Sequence, residues 1–176
     1  MLDISSLTNK QIYLKSSPKD KLLEDNFEFK NSKVKNLDHN QVLVEVVYIS
    51  IDAANRAWMQ GRTYRSQILP GDVMGGYALG KVIATNNNNF NIGDYVEGDL
   101  GWQNYAIRDA KELIKTSIKA SENLHMSALG ITGKTAYFGL GLADLKKGET
   151  VLISAAAGAV GNVAGQIAKI KGCKVI

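Results

Sequence analysis

The sequence predicts an α/β protein with a β-barrel part, followed by an incomplete βαβ domain. Three observations lead there. Up to about residue 110 the chain runs in short β-rich stretches separated by Gly, Asn and Asp turns, the pattern of a closed or partly closed barrel. From about Ser121 helical and strand rhythms alternate instead, which builds parallel strands joined by a helix. At the joint between one such strand and helix stands a small-residue turn, Ala155-Ala156-Ala157-Gly158-Ala159-Val160-Gly161. The expected domains are residues 1–122 and 123–176.

The elements follow in order. Gln11 to Lys15 is a short β-rich run, and Phe27 to Val34 alternates apolar and polar residues. Val42 to Ile49 has the β-branched density of a central strand. Asp52 is a candidate N-cap for a short helix through Ala53, Ala54, Arg56, Ala57 and Met59. Tyr77 to Thr85 is a strand entered through Gly75-Gly76, and Asn86 to Asn89 is a polar loop tip. Gly93 supplies a positive φ before a strand at Tyr95-Val96, and Trp102 to Arg108 closes this half. Beyond it, Ile131 to Ala143 reads as helix and Thr150 to Ser154 as strand. A helix from Ala159 to Lys171 carries Val160, Val163, Ala164, Ile167 and Ala168 on one stripe. Gly172 stands where a helix C-cap wants it, and Cys173 opens the second strand.

Composition narrows the chemistry. The 176 residues are 45% hydrophobic and 22% charged, and no run approaches a membrane span. The first residues lack the basic and apolar regions of a signal peptide, and there is no cysteine framework, so a cytoplasmic location is expected. A formal charge of +4 without basic–aromatic clustering gives no nucleic-acid face. One cysteine, Cys173, and two histidines, His39 and His125, exclude an internal disulfide and a four-ligand Cys/His zinc site. Cys173 reads as a small buried thiol and His125 as a structural histidine near the domain junction, and no metal is expected.

The glycine turn carries the chemistry. Set against the dinucleotide fingerprint G-x-G-x-x-G, Gly158 and Gly161 take the second and third glycine places and Ala156 the first. Glycine at 158 lets backbone approach a pyrophosphate, and glycine at 161 lets the helix pack closely. The first-turn N–H groups and the helix dipole then favour the diphosphate. The alternative is that both glycines serve helix–sheet packing only.

Two sets of residues also resemble a known family. The first is Ile131-Thr132-Gly133-Lys134-Thr135-Ala136-Tyr137-Phe138-Gly139-Leu140, Lys147-Gly148-Glu149-Thr150-Val151 and the glycine turn. The second is Tyr48-Ile49-Ser50-Ile51-Asp52, Arg56, Met59, Gly71-Asp72-Val73-Met74, Gly93-Asp94-Tyr95-Val96 and Gly101-Trp102-Gln103-Asn104-Tyr105-Ala106. Together they resemble the zinc-independent medium-chain dehydrogenases/reductases, in the branch of leukotriene B4 dehydrogenase/prostaglandin reductases and alkenal double-bond reductases. The resemblance implies a GroES-like catalytic domain followed by a Rossmann domain. It further implies NADPH as cofactor and hydride transfer to the C=C bond of α,β-unsaturated ketones and aldehydes, or to quinones.

By the same resemblance Ile131 and Thr135 match positions on the nicotinamide side, and Ala157, Gly158, Ala159, Val160 and Gly161 the pyrophosphate turn. Thr135 reads equally well as a helix-interior Thr bonding its own backbone. Arg56, Trp58 and Tyr64 are candidates for the substrate side, against the alternative of packing at a domain edge. No catalytic residue is assigned. Where the family often reads Asp-Pro-Tyr-Met-Arg, this chain has Asp52-Ala53-Ala54-Asn55-Arg56, so by the resemblance Ala54 stands in place of the tyrosine that helps wall the substrate pocket in the plant enzymes. The chain reaches Ile176 at its second Rossmann strand, where residues choosing NAD or NADP would begin. Two readings follow: a reductase of small enones or quinones, or a non-catalytic remnant or binding module. In either, an exposed half-sheet invites a homodimer or another association.

Overall fold

A computed structural model describes residues 3–118 and 121–176 of the chain. The chain divides into two compact units, Met1–Ser117 and Ile118–Ile176.

The first unit is built on β1 (Thr8–Leu14), β2 (Phe27–Lys33), β3 (Gln41–Ile49), α1 (Ala53–Gln60), β4 (Tyr77–Thr85), β5 (Tyr95–Asp99), β6 (Tyr105–Asp109) and β7 (Ile114–Thr116). Five strands form an antiparallel sheet in the order β6-β3-β4-β5-β7, and β1 and β2 pair as a separate antiparallel hairpin. Single bridges from Gln11 to Gln103 and from Tyr13 to Val73 tie that hairpin back, which gives the partly closed form of the expected barrel. Successive Val42, Leu43 and Val44 are all fully buried, because β3 is covered on both faces. Two irregularities in the β3–β4 register add local twist.

Two cores fill this unit. One gathers Val42, Val44, Ala78, Val82, Val96, Leu100 and Ala106 between the strands. The other packs Leu14, Trp58, Met59, Ile68 and Met74 around α1. Asp52 caps α1 by accepting from the Ala54 N–H at 2.8 Å, while the Asn55 side chain accepts from the Asp52 N–H at 2.7 Å. The same Asn55 donates to the Gly75 carbonyl, fixing the chain where β4 begins.

The second unit holds α2 (Glu122–His125), α3 (Ile131–Leu142), β8 (Thr150–Val151), α4 (Ala159–Ile170) and β9 (Lys174–Val175), with β8 and β9 parallel. Gly172 takes φ +82° just past the C-cap of α4, the left-handed turn that ends a helix. Two expectations need correction. The strand expected over Thr150 to Ser154 is regular only at Thr150–Val151, although the Ile153 N–H still donates to the Ile176 carbonyl. The stripe of α4 is also narrower than its periodicity suggests. Ala164 and Ala168 are buried, but Val160 is 40% exposed at the helix start.

Candidate functional site

The glycine turn is shaped by its own backbone. Ala155 adopts φ +51°, a left-handed conformation unusual for a residue with a Cβ, and its carbonyl accepts the Gly158 N–H at 2.8 Å. The strained position is therefore Ala155, one residue before the place that aligns with the first glycine of the fingerprint. Gly158 is the N-cap of α4 and has extended φ and ψ, so its requirement is space rather than dihedral freedom. No side chain caps α4, and the N–H groups of Ala159, Val160 and Gly161 start the helix on an exposed turn.

A Cβ on Gly161 would collide with the Ala155 carbonyl oxygen and stand 3.0 Å from Ala156 Cα. Gly161 thus keeps the helix tight against the turn itself. Packing on the strands falls to Gly165, whose side faces Ile153 and Val175 at ordinary van der Waals distance. The result is a small-residue cradle at an uncapped helix N-terminus, with backbone donors and the positive end of the dipole at its mouth. These features fit the diphosphate of a dinucleotide. Ala157, Gly158, Ala159 and Val160 are all exposed there.

Ile131 and Thr135 lie on the exposed side of α3. The Thr135 hydroxyl donates to the Ile131 carbonyl at 2.8 Å, one helical turn back. The same helix exposes the edge-to-face pair Tyr137 and Phe138 and leaves Leu142 91% exposed. His125 ends α2, and its Nε2 is buried without a hydrogen-bond partner among the described residues. Cys173 is buried, with its thiol directed to the Lys146 carbonyl at 3.4 Å.

In the first unit, Trp58 belongs to the core around α1 and is 6% exposed. The Arg65 guanidinium lies over its ring at 4.5 Å, and Tyr64, itself 83% exposed, meets it edge-on at 6.0 Å. Arg65 pairs with Asp99 at 2.6 Å, and Asp99 also accepts the Gly76 N–H at 2.8 Å. Arg56 turns elsewhere and donates to the Asp20 carbonyl. The structure therefore brings Trp58 and Tyr64 together and leaves Arg56 out of their cluster.

Arg65 and Asp99 are the members that sequence reasoning missed. The nearest signal was Gly75-Gly76, since a Cβ on Gly75 would press the Arg65 guanidinium and one on Gly76 the Trp102 indole. The indole N–H groups of Trp58 and Trp102 are buried and unpartnered among the described residues. Nearby, buried Glu97 accepts the Tyr77 hydroxyl at 2.8 Å. Burial first, and then the Glu97 carboxylate, hold the Tyr77 phenol well above the usual tyrosine range. Among the described residues no three His, Cys, Asp or Glu side chains are placed to share a metal ion, and no helix is long and apolar enough to cross a membrane.

Comparison with known proteins places this arrangement. Residues 10–116 match the family model described as the N-terminal domain of oxidoreductase. Prostaglandin reductase 1 of Mus musculus is 39% identical over 158 residues, 87% of this chain and 46% of that protein. The NADPH-dependent curcumin reductase of Escherichia coli (strain K12) is 34% identical over 171 residues, 96% of this chain and 50% of that protein. The crystal structure of CurA in complex with NADPH from Vibrio vulnificus superposes with a TM-score of 0.84 at 34% identity, covering 94% of this chain and 50% of that one. The chain thus spans about half the length of the curated relatives it matches. With its GroES-like N-terminal part and the opening βαβ of a Rossmann fold, it belongs to the zinc-independent medium-chain dehydrogenases/reductases.

Proposed function

We propose that this chain is the catalytic-type domain and the start of the cofactor domain of an NADPH-dependent reductase. Its substrates are α,β-unsaturated ketones or aldehydes, or quinones. One observation carries the reading: the uncapped N-terminus of α4, with Ala155, Gly158 and Gly161 forming a cradle that a Cβ would fill. That cradle lies in a family whose relatives named above include a curcumin reductase described as NADPH-dependent.

When bound, NADPH supplies hydride to the β-carbon of the substrate, and the enolate then takes a proton. What these residues contribute is binding and orientation. The backbone N–H groups of Ala159 and Val160 would hold the diphosphate charge, Gly158 would admit it, and Ala157 would wall the turn. Ile131 and Thr135 give α3 a short apolar and hydroxyl-bearing surface toward the nicotinamide side. The exposed Tyr64 offers an aromatic surface suited to a conjugated substrate, and the buried Trp58, with Arg65 over its ring, backs it from the core. The work is positional, as expected where the cofactor carries the reactive hydride.

The test is an NADPH titration read by fluorescence and Tm. Saturable binding that Gly161→Val abolishes supports the proposal, whereas Gly161→Val binding as wild type does would refute it.

A second reading rests on the exposure of Leu152 and Ile176 beside a sheet of only two strands. A parallel sheet is ordinarily covered on both faces, so in this reading the exposed side of β8 and β9 is a surface for association and the chain acts as a binding module. It is then expected to show no turnover of an enone with NADPH. Enone-dependent loss of NADPH absorbance that disappears in Gly161→Val would overturn this second reading.

A further inference from the structure

The first unit contains a groove of about 320 Å³ between the β1–β2 hairpin and the face of β3 and β6, near the lower end of small-molecule pockets. None of the residues lining it is acidic, and three, Lys33, Lys35 and Arg108, are cationic.

The oxygens of its amide side chains are engaged by neighbouring groups. The Gln103 Oε1 accepts from Asn9 at 3.0 Å and from Gln11 at 2.8 Å. The Gln11 Oε1 accepts from Ser32 at 2.8 Å and from the Tyr13 hydroxyl at 3.3 Å. The Oδ1 of Asn9, a residue only 7% exposed, accepts the Tyr105 N–H at 2.9 Å.

With these acceptors occupied, donors remain. Arg108 is anchored by Nε to the Asp99 carbonyl at 2.7 Å and by Nη1 to the Ile107 carbonyl at 2.8 Å, which leaves Nη2 unused. The Tyr105 hydroxyl and the Lys35 ammonium have no partner among the described residues. Lys33 makes one bond, to the Ser6 carbonyl at 3.2 Å. A concave surface with spare cationic donors and no carboxylate in its lining is complementary to an acceptor-only, negatively charged ligand.

We propose that this groove binds a multivalent oxyanion, phosphate or polycarboxylate, held by Arg108, Lys35 and Tyr105 over the Asn9–Gln103–Gln11 amide ladder. The site lies wholly within the first unit and is independent of the glycine turn.

The experiment is isothermal titration calorimetry of the 176-residue chain with inorganic pyrophosphate and, separately, with citrate at constant ionic strength. It covers wild type, Lys35→Gln, Tyr105→Phe and Gly161→Val, each checked for fold by circular dichroism. A saturable groove site, separate from any pyrophosphate binding at the glycine turn, is expected on wild type, weakened about tenfold or more by Lys35→Gln and by Tyr105→Phe, each the loss of a charge-assisted hydrogen bond to the anion. It is expected to be unchanged in Gly161→Val. Stronger binding of pyrophosphate assigns a phosphate ligand, and stronger binding of citrate a polycarboxylate. Flat titrations with both anions overturn the proposal, as does binding that survives Lys35→Gln and Tyr105→Phe unchanged or vanishes in Gly161→Val. Should Gly161→Val not fold, amide shift changes on wild type decide: movement in β1 and β6 supports the groove, and movement confined to residues 155–161 refutes it.

Discussion

Asn55 shows how much one side chain fixes. It is 3% exposed, accepts from the Asp52 N–H and donates to the Gly75 carbonyl. Replacing it by Ala removes both bonds and leaves a buried carbonyl unpaired, an expected loss of about 2 kcal/mol. Asp52→Ala removes only a cap, for about 1 kcal/mol. Urea unfolding of the two variants, followed by tryptophan fluorescence, checks the order. Tyr77 has a signature of its own. Its phenol is held protonated beyond the usual range, so between the unfolded and folded values the native state keeps a proton that the unfolded chain has lost. Stability is therefore expected to fall as pH rises above about 10, and Tyr77→Phe should flatten that fall in a Tm-against-pH series. At the acid end, the Lys115 ammonium and the Asn91 N–H lower the Asp94 carboxyl. Its contribution is present above the ordinary aspartate value and is lost as pH drops below it.

At the scale of elements, local chemistry was the legible part. Tyr77–Thr85 is the expected strand residue for residue, Asp52 caps α1, and Gly93 and Gly172 take the positive φ their turns ask for. These are contests among a few neighbouring residues, and the sequence states them directly. The cluster of Trp58, Arg65 and Asp99 was not legible, because Arg65 sits in a segment without periodicity and its carboxylate partner lies two strands further on. The groove beneath the β1–β2 hairpin was hidden for the same reason, as its members come from four separate strands. Val160 misled because a helical stripe says which residues share a face and not how far the covering layer extends.

Glycines in α3 carry a prediction of the same scale. A Cβ on Gly133 would collide with the Ala128 carbonyl, whereas one on Gly139 meets nothing within 4 Å. Gly133→Ala is expected to destabilise by about 1–3 kcal/mol and Gly139→Ala to stabilise by about 0.5–1 kcal/mol. Thermal unfolding by circular dichroism separates them.

Across the whole molecule the two units are unequally filled. The largest fully buried side chains, Leu14, Leu43, Met59, Met74, Leu79 and Leu100, all lie in the first unit. The apolar residues buried in the second are small: Ala136, Ala164, Ala168 and Cys173. Since stabilisation scales with the apolar area removed from water, the second unit is expected to open first. Amide exchange should show α3 and α4 exchanging orders of magnitude faster than β3 and β4. Equal protection throughout would contradict that expectation.

The burial of Cys173 has a practical side. Both tryptophans belong to one unit and the sole thiol to the other. Indole emission therefore reports on the first unit alone, and the rate of thiol modification on the second unit alone. Two signals from one sample, intrinsic emission and reaction with a thiol reagent, follow the two folding reactions separately, and a ligand that slows thiol modification without shifting the emission declares which unit it holds.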